Sequence, residues 1–189
     1  MAGYYHPFYS MQRLIVTYPN PVLRSRSLEV AEEKISSAGV QNIIRDLKNT
    51  LKNSKDGIGI AAPQIGIGQR IFIVSEEAKF IGLKEPGAKE KDWASLVYIN
   101  PVIIKRSKVM EDGIEGCLSV PGKFGVVSRH QKITIKAYDE NGKSITQGAA
   151  KFFARVLQHE SDHLNGVLFI DKVLRFVDVA ADNGDNEKL

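Results

Sequence analysis

The 189-residue chain has one cysteine, Cys117, and one tryptophan. A single thiol excludes an internal disulfide, so packing and hydrogen bonds must hold the fold, and the thiol needs a role of its own. No apolar run approaches the roughly 20 residues that a membrane helix requires, and the N-terminus lacks the basic start and apolar stretch of a secretory signal. These absences predict a soluble chain with no membrane partner. Charge of one sign is not concentrated either: the formal net charge of +4 is spread along the sequence, which gives little support for a nucleic-acid substrate. What is present is ordinary globular composition, 43% hydrophobic and 25% charged, enough for one domain over 1–189. The aromatic stretch MAGYYHPFYS at 1–10 and the polar tail at 180–189 lack periodicity and are expected to be flexible.

Between those ends the hydrophobic pattern alternates between two periods. Val40, Ile43, Ile44, Leu47 and Leu51 recur at helical spacing and predict an amphipathic helix over 39–52. Strands are expected for RLIVT at 13–17, for 71–74, near 96–104 and for KITIKAYD at 132–139, the last joined to a partner by an Asn141-Gly142 hairpin. A polar surface loop is expected over 75–92. From 149 to 164, AAKFFARVLQHESDHL is apolar on more than one side, as in a helix buried between layers, with Gly166 placed to close its end. The pattern is antiparallel β with helices added.

The buried helix carries QHESDHLNG at 158–166, an H-E-x-x-H motif. One helical turn brings His159 and His163 onto one face, which suits two nitrogens closing on a metal ion. Two histidines and a glutamate in an apolar helix are costly to bury without partners, so packing alone is the weaker account. A third ligand is not found downstream. Six residues past His163 stands Phe169, which cannot bind a metal, and after His163 the only glutamate is Glu187, in the polar tail. Upstream, Cys117 lies in EGCLSVPG, where a short strand would present it at a sheet edge. A Cys117-His159-His163 site leaves a fourth position for water, the mark of a catalytic metal. A metal-free arrangement, with Cys117 as nucleophile and His159 as base, stays open. In the Gly-rich segment GIGIAAPQIGIG at 57–68, a phosphate-binding reading is weak because no Lys-Ser/Thr follows; Gly57 and Gly59 instead leave room for a peptide lying alongside as an added strand. Phe152 and Val156 share the His159 face and, with Ile58, are candidates for an apolar substrate pocket.

GIGIAAPQ at 57–64, EGCLS at 115–119 and QHESDHL at 158–164 together resemble, in order, the three motifs of peptide deformylases, in the form typical of the type I bacterial and organellar branch. The resemblance implies an α+β fold, with antiparallel β-sheets packed around a central helix carrying the HExxH motif. It implies removal of formyl from the N-terminal formyl-methionine of new polypeptides, with transient contact with the ribosome. The implied metal ligands are Cys117, His159 and His163. Ferrous iron is the implied working metal, with zinc, nickel or cobalt as substitutes. Glu160 is the implied proton carrier, Gln64 and the backbone N–H of Leu118 the oxyanion donors, and Ile58, Gly59, Phe152 and Val156 the substrate contacts. Glu115, Arg129 and Asp162 are candidates for supporting the ligands from behind. The compartment implied is the bacterial cytoplasm, or a plastid or mitochondrial interior for a processed organellar form. A C-terminal helix, common in bacterial relatives, is not evident.

Overall fold

The computed structural model describes residues 13–54, 56–82 and 93–178. The expectations for 1–10 and 180–189, and most of the polar loop at 75–92, lie outside the described residues. Ser37 begins the first helix, α1 (Ala38–Lys52), by accepting a hydrogen bond from the Val40 amide, and its buried face is Val40, Ile44, Leu47 and Leu51. These recur at three- and four-residue spacing, the period that aligns side chains on one helix face. The chain then forms β1 (Gly59–Ala61), β2 (Ile71–Ser75) and β3 (Ser95–Arg106), followed by β4 (Met110–Cys117) and β5 (Val120–His130). After β6 (Lys132–Tyr138) and β7 (Ser144–Ala150) come α2 (Lys151–His163) and β8 (Val173–Val177).

Two antiparallel sheets result, one of order β1-β2-β3-β6-β7 and one of order β4-β5-β8. The first is covered on both faces. Ile71, Ile73, Val97 and Ile99 pack with the apolar face of α1. The alternate residues Phe72, Val74 and Tyr98 pack with Phe153, Val156 and Leu157 of α2, together with Ile133, Ile135 and Ala137 of β6. That alternation is the period-two consequence of the pleat. Burying each such Ile, Val, Leu or Phe contributes about 1.5–3 kcal/mol. A third cluster, with Leu23, Val127 and Phe169, joins the smaller sheet to the chain leaving α2. The molecule is α+β, and α2 lies against strands of both sheets.

Three features depart from the sequence pattern. RLIVT is not a strand: Val16 donates to the Gln64 carbonyl and Tyr18 to the Ser119 carbonyl, both at 2.8 Å. It bridges two segments by single bonds, so β propensity has no ladder to join. Strand β3 continues through Pro101 because its register shifts there. Asn100 takes a positive φ of 50° and its side chain binds the Val30 amide and carbonyl. Finally, the smaller sheet was foreshadowed only by a short strand at Cys117, and its third strand, β8, carries no pattern that marked it in the sequence.

Gly166 sits at φ 73°, and its amide donates to the His163 carbonyl at 3.2 Å. A Cβ there would lie 2.4 Å from the Arg24 carbonyl oxygen. Both the left-handed turn and the close approach demand glycine, and together they turn the chain sharply just past the second histidine.

Candidate metal centre

Cys117 is the last residue of β4, while His159 and His163 stand one turn apart on α2. Their ligand atoms lie within 4.8 Å of one another, and Cys117 Sγ is 3.2 Å from His163 Nε2. Bond lengths of about 2.3 Å to sulfur and 2.05 Å to nitrogen at a tetrahedral angle put S and N roughly 3.6 Å apart, so the spacing fits one shared ion. The electrostatics agree. Burial holds His163 well below its ordinary pKa, in the neutral form that ligates. Burial opposes charge on His159 too, yet hydrogen bonds with Cys117 and Glu115 raise its pKa well above the usual value. The position therefore favours positive charge, which a metal ion supplies in place of the proton.

His159 Nδ1 lies 2.9 Å from Glu115 Oε2. An ionised carboxylate only accepts, so Nδ1 carries the proton and Nε2 is left for a metal. Glu115 is in turn gripped from both sides by Arg129, whose Nε and Nη2 donate to its two oxygens at 2.9 Å. Burial alone would raise the Glu115 pKa, but the bonds from Arg129 and His159 hold it well below the usual carboxylate range. Arg129 also binds Asp162, which accepts from Lys172 at 2.6 and 2.8 Å. A second arginine, Arg155, donates to Glu115 at 2.9 Å. Sequence reasoning missed it; the available signal was a charged residue inside the apolar run FFARVL. Phe169 lies against the His159 ring, centroids 6.2 Å apart and planes 26° from parallel.

Glu160 is 4% exposed, and its Oε2 has no hydrogen-bond partner. Burial pushes its carboxyl up to about 7, opposed by the charge of His159. Gln64 Oε1 accepts from the Ala61 amide at 2.8 Å, which turns Nε2 toward Cys117 Sγ at 3.6 Å. Leu118 occupies the tight turn between β4 and β5.

Of the residues singled out from sequence, Ile58, Gly59, Gln64, Cys117, Leu118, Phe152, Val156, His159 and Glu160 line one cavity of about 380 Å³. His163 sits behind it, 1% exposed. Ile114, Pro121 and Phe124 also line the cavity and were not foreseen, because nothing local marks a strand's outward side chain as a pocket wall. The cavity separates two sheet edges, β1 on one side and β4 on the other. Unpaired main-chain groups on such edges accept an extended peptide as an added strand. A Cys/His/His cluster that could hold a metal ion, a buried carboxyl and an amide donor beside such an edge form a constellation suited to amide hydrolysis.

Comparison with known proteins gives the same picture. The family model described as Polypeptide deformylase matches residues 12–177. The chain is 39% identical over 160 residues to a peptide deformylase of Syntrophomonas wolfei, covering 85% of this chain and 92% of the relative. It is 37% identical over 175 residues to the chloroplastic/mitochondrial peptide deformylase 1A of Arabidopsis thaliana, covering 90% and 65%. Among solved structures it resembles the class I type b peptide deformylase of Acinetobacter baumannii with K3U bound. That match has a TM-score of 0.75 and 31% identity, over 86% of this chain and 99% of the other.

Proposed function

Since the chain belongs to the polypeptide deformylase family, a family of metal-dependent hydrolases that remove N-terminal formyl groups from nascent polypeptides, we propose the following roles for its residues. Cys117, His159 and His163 hold the divalent metal, ferrous iron in the working enzyme, with zinc, nickel or cobalt as substitutes. The observation that carries this is the convergence of the three ligand atoms within 4.8 Å, beside the cavity that Glu160 lines. A metal held there supplies Lewis acidity, lowering the pKa of water toward about 7 and polarising the formyl carbonyl.

A formamide is a poor electrophile, so its hydrolysis needs a deprotonated water, a stabilised oxyanion and a proton for the departing amine. Glu160 accepts the proton of the attacking water and delivers it to the amine of methionine as the C–N bond breaks, so formate and a free N-terminus leave. Its burial suits this work, because a carboxyl near neutrality both takes and returns a proton. Gln64 Nε2 and the Leu118 amide donate to the oxyanion, and loss of one such donor costs about 10²- to 10³-fold in rate. Ile58, Phe152 and Val156 enclose the methionine side chain, and Gly59 stands on the β1 edge along which the peptide backbone runs, its missing Cβ leaving room for the Glu160 carboxyl. Residues 1–189 act as one catalytic domain, in transient contact with the ribosome that presents the substrate. The setting is a bacterial cytoplasm or a plastid or mitochondrial interior, in line with the two kinds of relative.

The test is anaerobic purification with metal analysis, followed by formate release from a formyl-Met peptide. Glu160→Gln is expected to keep the metal and lose turnover. Cleavage of the unformylated peptide at an internal bond, or full activity in Glu160→Gln, would refute the assignment. Iron predicts loss of activity in air, since oxidation reaches the metal or the Cys117 thiolate.

A further inference from the structure

The three proposed ligands come from two elements. Cys117 ends β4 and the histidines ride on α2, so the centre exists only while strand and helix keep one spacing. Arg155, 8% exposed, spans that gap from one helical turn before His159. Its guanidinium donates to the carbonyls of Glu111 at 2.6 Å, Val127 at 2.7 Å and Gly113 at 3.3 Å, as well as to the Glu115 carboxylate at 2.9 Å. Glu111 and Gly113 are alternate residues of β4 leading to Cys117. Val127 is opposite Gly113 on β5.

Charge compensation does not explain this arrangement, because Arg129 already engages both oxygens of Glu115. The acceptors divide between two nitrogens of the guanidinium, Nη1 serving Val127, Gly113 and Glu115 and Nη2 serving Glu111, a spread that the single ammonium nitrogen of a lysine does not reproduce. Gly113 makes the room. A Cβ there would lie 2.8 Å from Cζ and Nη2 of Arg155 and 2.9 Å from Nε, so the guanidinium rests directly against the strand. Gly113 is an ordinary strand residue with no positive φ, which leaves Arg155 as the neighbour that excludes a side chain.

We infer that Arg155 and Gly113 act as a matched pair that positions the metal centre, with the guanidinium clamping β4 to α2 and thereby fixing Cys117 relative to His159 and His163. This rests on the reading that those three residues are the ligands. Arg155 acts through them and is a positioning residue.

The experiment titrates the metal-free full-length chain with Co²⁺ under anaerobic conditions. It reads the dissociation constant by chelator competition, along with the thiolate charge-transfer and d–d absorption, and compares wild type with Arg155→Lys, Gly113→Ala and the double variant. Each single variant is expected to keep the wild-type circular dichroism, to bind Co²⁺ about 10- to 100-fold more weakly and to show altered d–d bands. The double variant is expected to lose little more than one single, as for residues acting as a unit. Wild-type affinity and spectrum in either single variant would overturn the inference. So would fully additive losses, or unfolding of a variant before metal is added, which would make the pair a determinant of the fold. Absence of a thiolate band in the wild type would instead defeat the ligand assignment itself.

Discussion

Gly59→Ala is the sharpest test of how Glu160 is held. A Cβ at position 59 would lie 2.6 Å from Glu160 Oε1, 2.9 Å from its Cδ and 3.0 Å from its Cγ. Ordinary contact is about 3.4 Å or more, so the carboxyl must retreat by roughly 0.8 Å. Glu160 is 4% exposed on a helix buried between layers, so the retreat is open only toward the cavity it lines. Displacing a catalytic group by about 1 Å costs on the order of 10²-fold, or roughly 2.7 kcal/mol of barrier. Overpacking at such a site destabilises the fold by about 1–3 kcal/mol. The assay is steady-state formate release with metal content and melting temperature measured on the same sample. The expected result is a kcat about 100-fold lower, with metal retained and a modest fall in Tm. If the methyl instead blocked the substrate backbone, KM would rise with kcat intact. Wild-type kcat in a folded, metal-loaded Gly59→Ala chain would refute the idea that Glu160 works from this position.

Gly166→Ala combines a positive φ with a Cβ 2.4 Å from the Arg24 carbonyl. A loss of about 3 kcal/mol is expected, seen as a Tm lower by roughly 6–12 °C, and an unchanged Tm would contradict it. Metal bound at 100 times its Kd stabilises the fold by about 2.7 kcal/mol. A chelator should therefore lower the Tm by roughly 5–11 °C in wild type and leave Cys117→Ser almost unmoved; equal shifts in both would remove Cys117 from the ligand set. At the surface, the hydrogen bond from Arg24 holds Asp171 below its ordinary pKa, against the opposing effect of burial. A depressed carboxylate contributes stability above its unfolded pKa of about 3.9 and loses it as pH falls through the folded value. Arg24→Ala should thus lower the urea midpoint at pH 7 by an amount worth less than about 1 kcal/mol, with the difference gone at an acid pH where Asp171 is protonated. A gap of equal size at both pH values would refute it.

The elements legible in the sequence are those whose neighbours are apolar. Strands β2, β3 and β6 and helix α1 each present a periodic face to a hydrophobic cluster, and periodicity is what a sequence displays. Strand β4 has no such face. MEDGIEGC holds three acids and two glycines in eight residues, because its inner side meets Arg155 and the Glu115 network instead of a core. Strand β8 escapes for the opposite reason: Leu174 and Phe176 are 63% and 58% exposed, so no alternation of burial shaped its residues. RLIVT carried the right composition for a strand, but composition does not supply a partner edge.

The site divides in the same way. His159, Glu160 and His163 were legible because a helix makes their geometry local. Cys117 followed from what the downstream sequence could not provide. The couplings between elements were less visible: Glu115 with Arg129 was anticipated, whereas Arg155 was not, since its partners are main-chain carbonyls that carry no residue signature. Phe169 shows how an absence can be read too narrowly. Six residues past His163, at a spacing where other proteins place a histidine, it cannot ligate. Its ring nevertheless stacks on His159, so the position does reach the centre. What differs is chemistry, not reach: the chain after α2 sets an aromatic ring beside an imidazole whose Nδ1 faces Glu115, and the third proposed ligand, Cys117, comes from the end of β4.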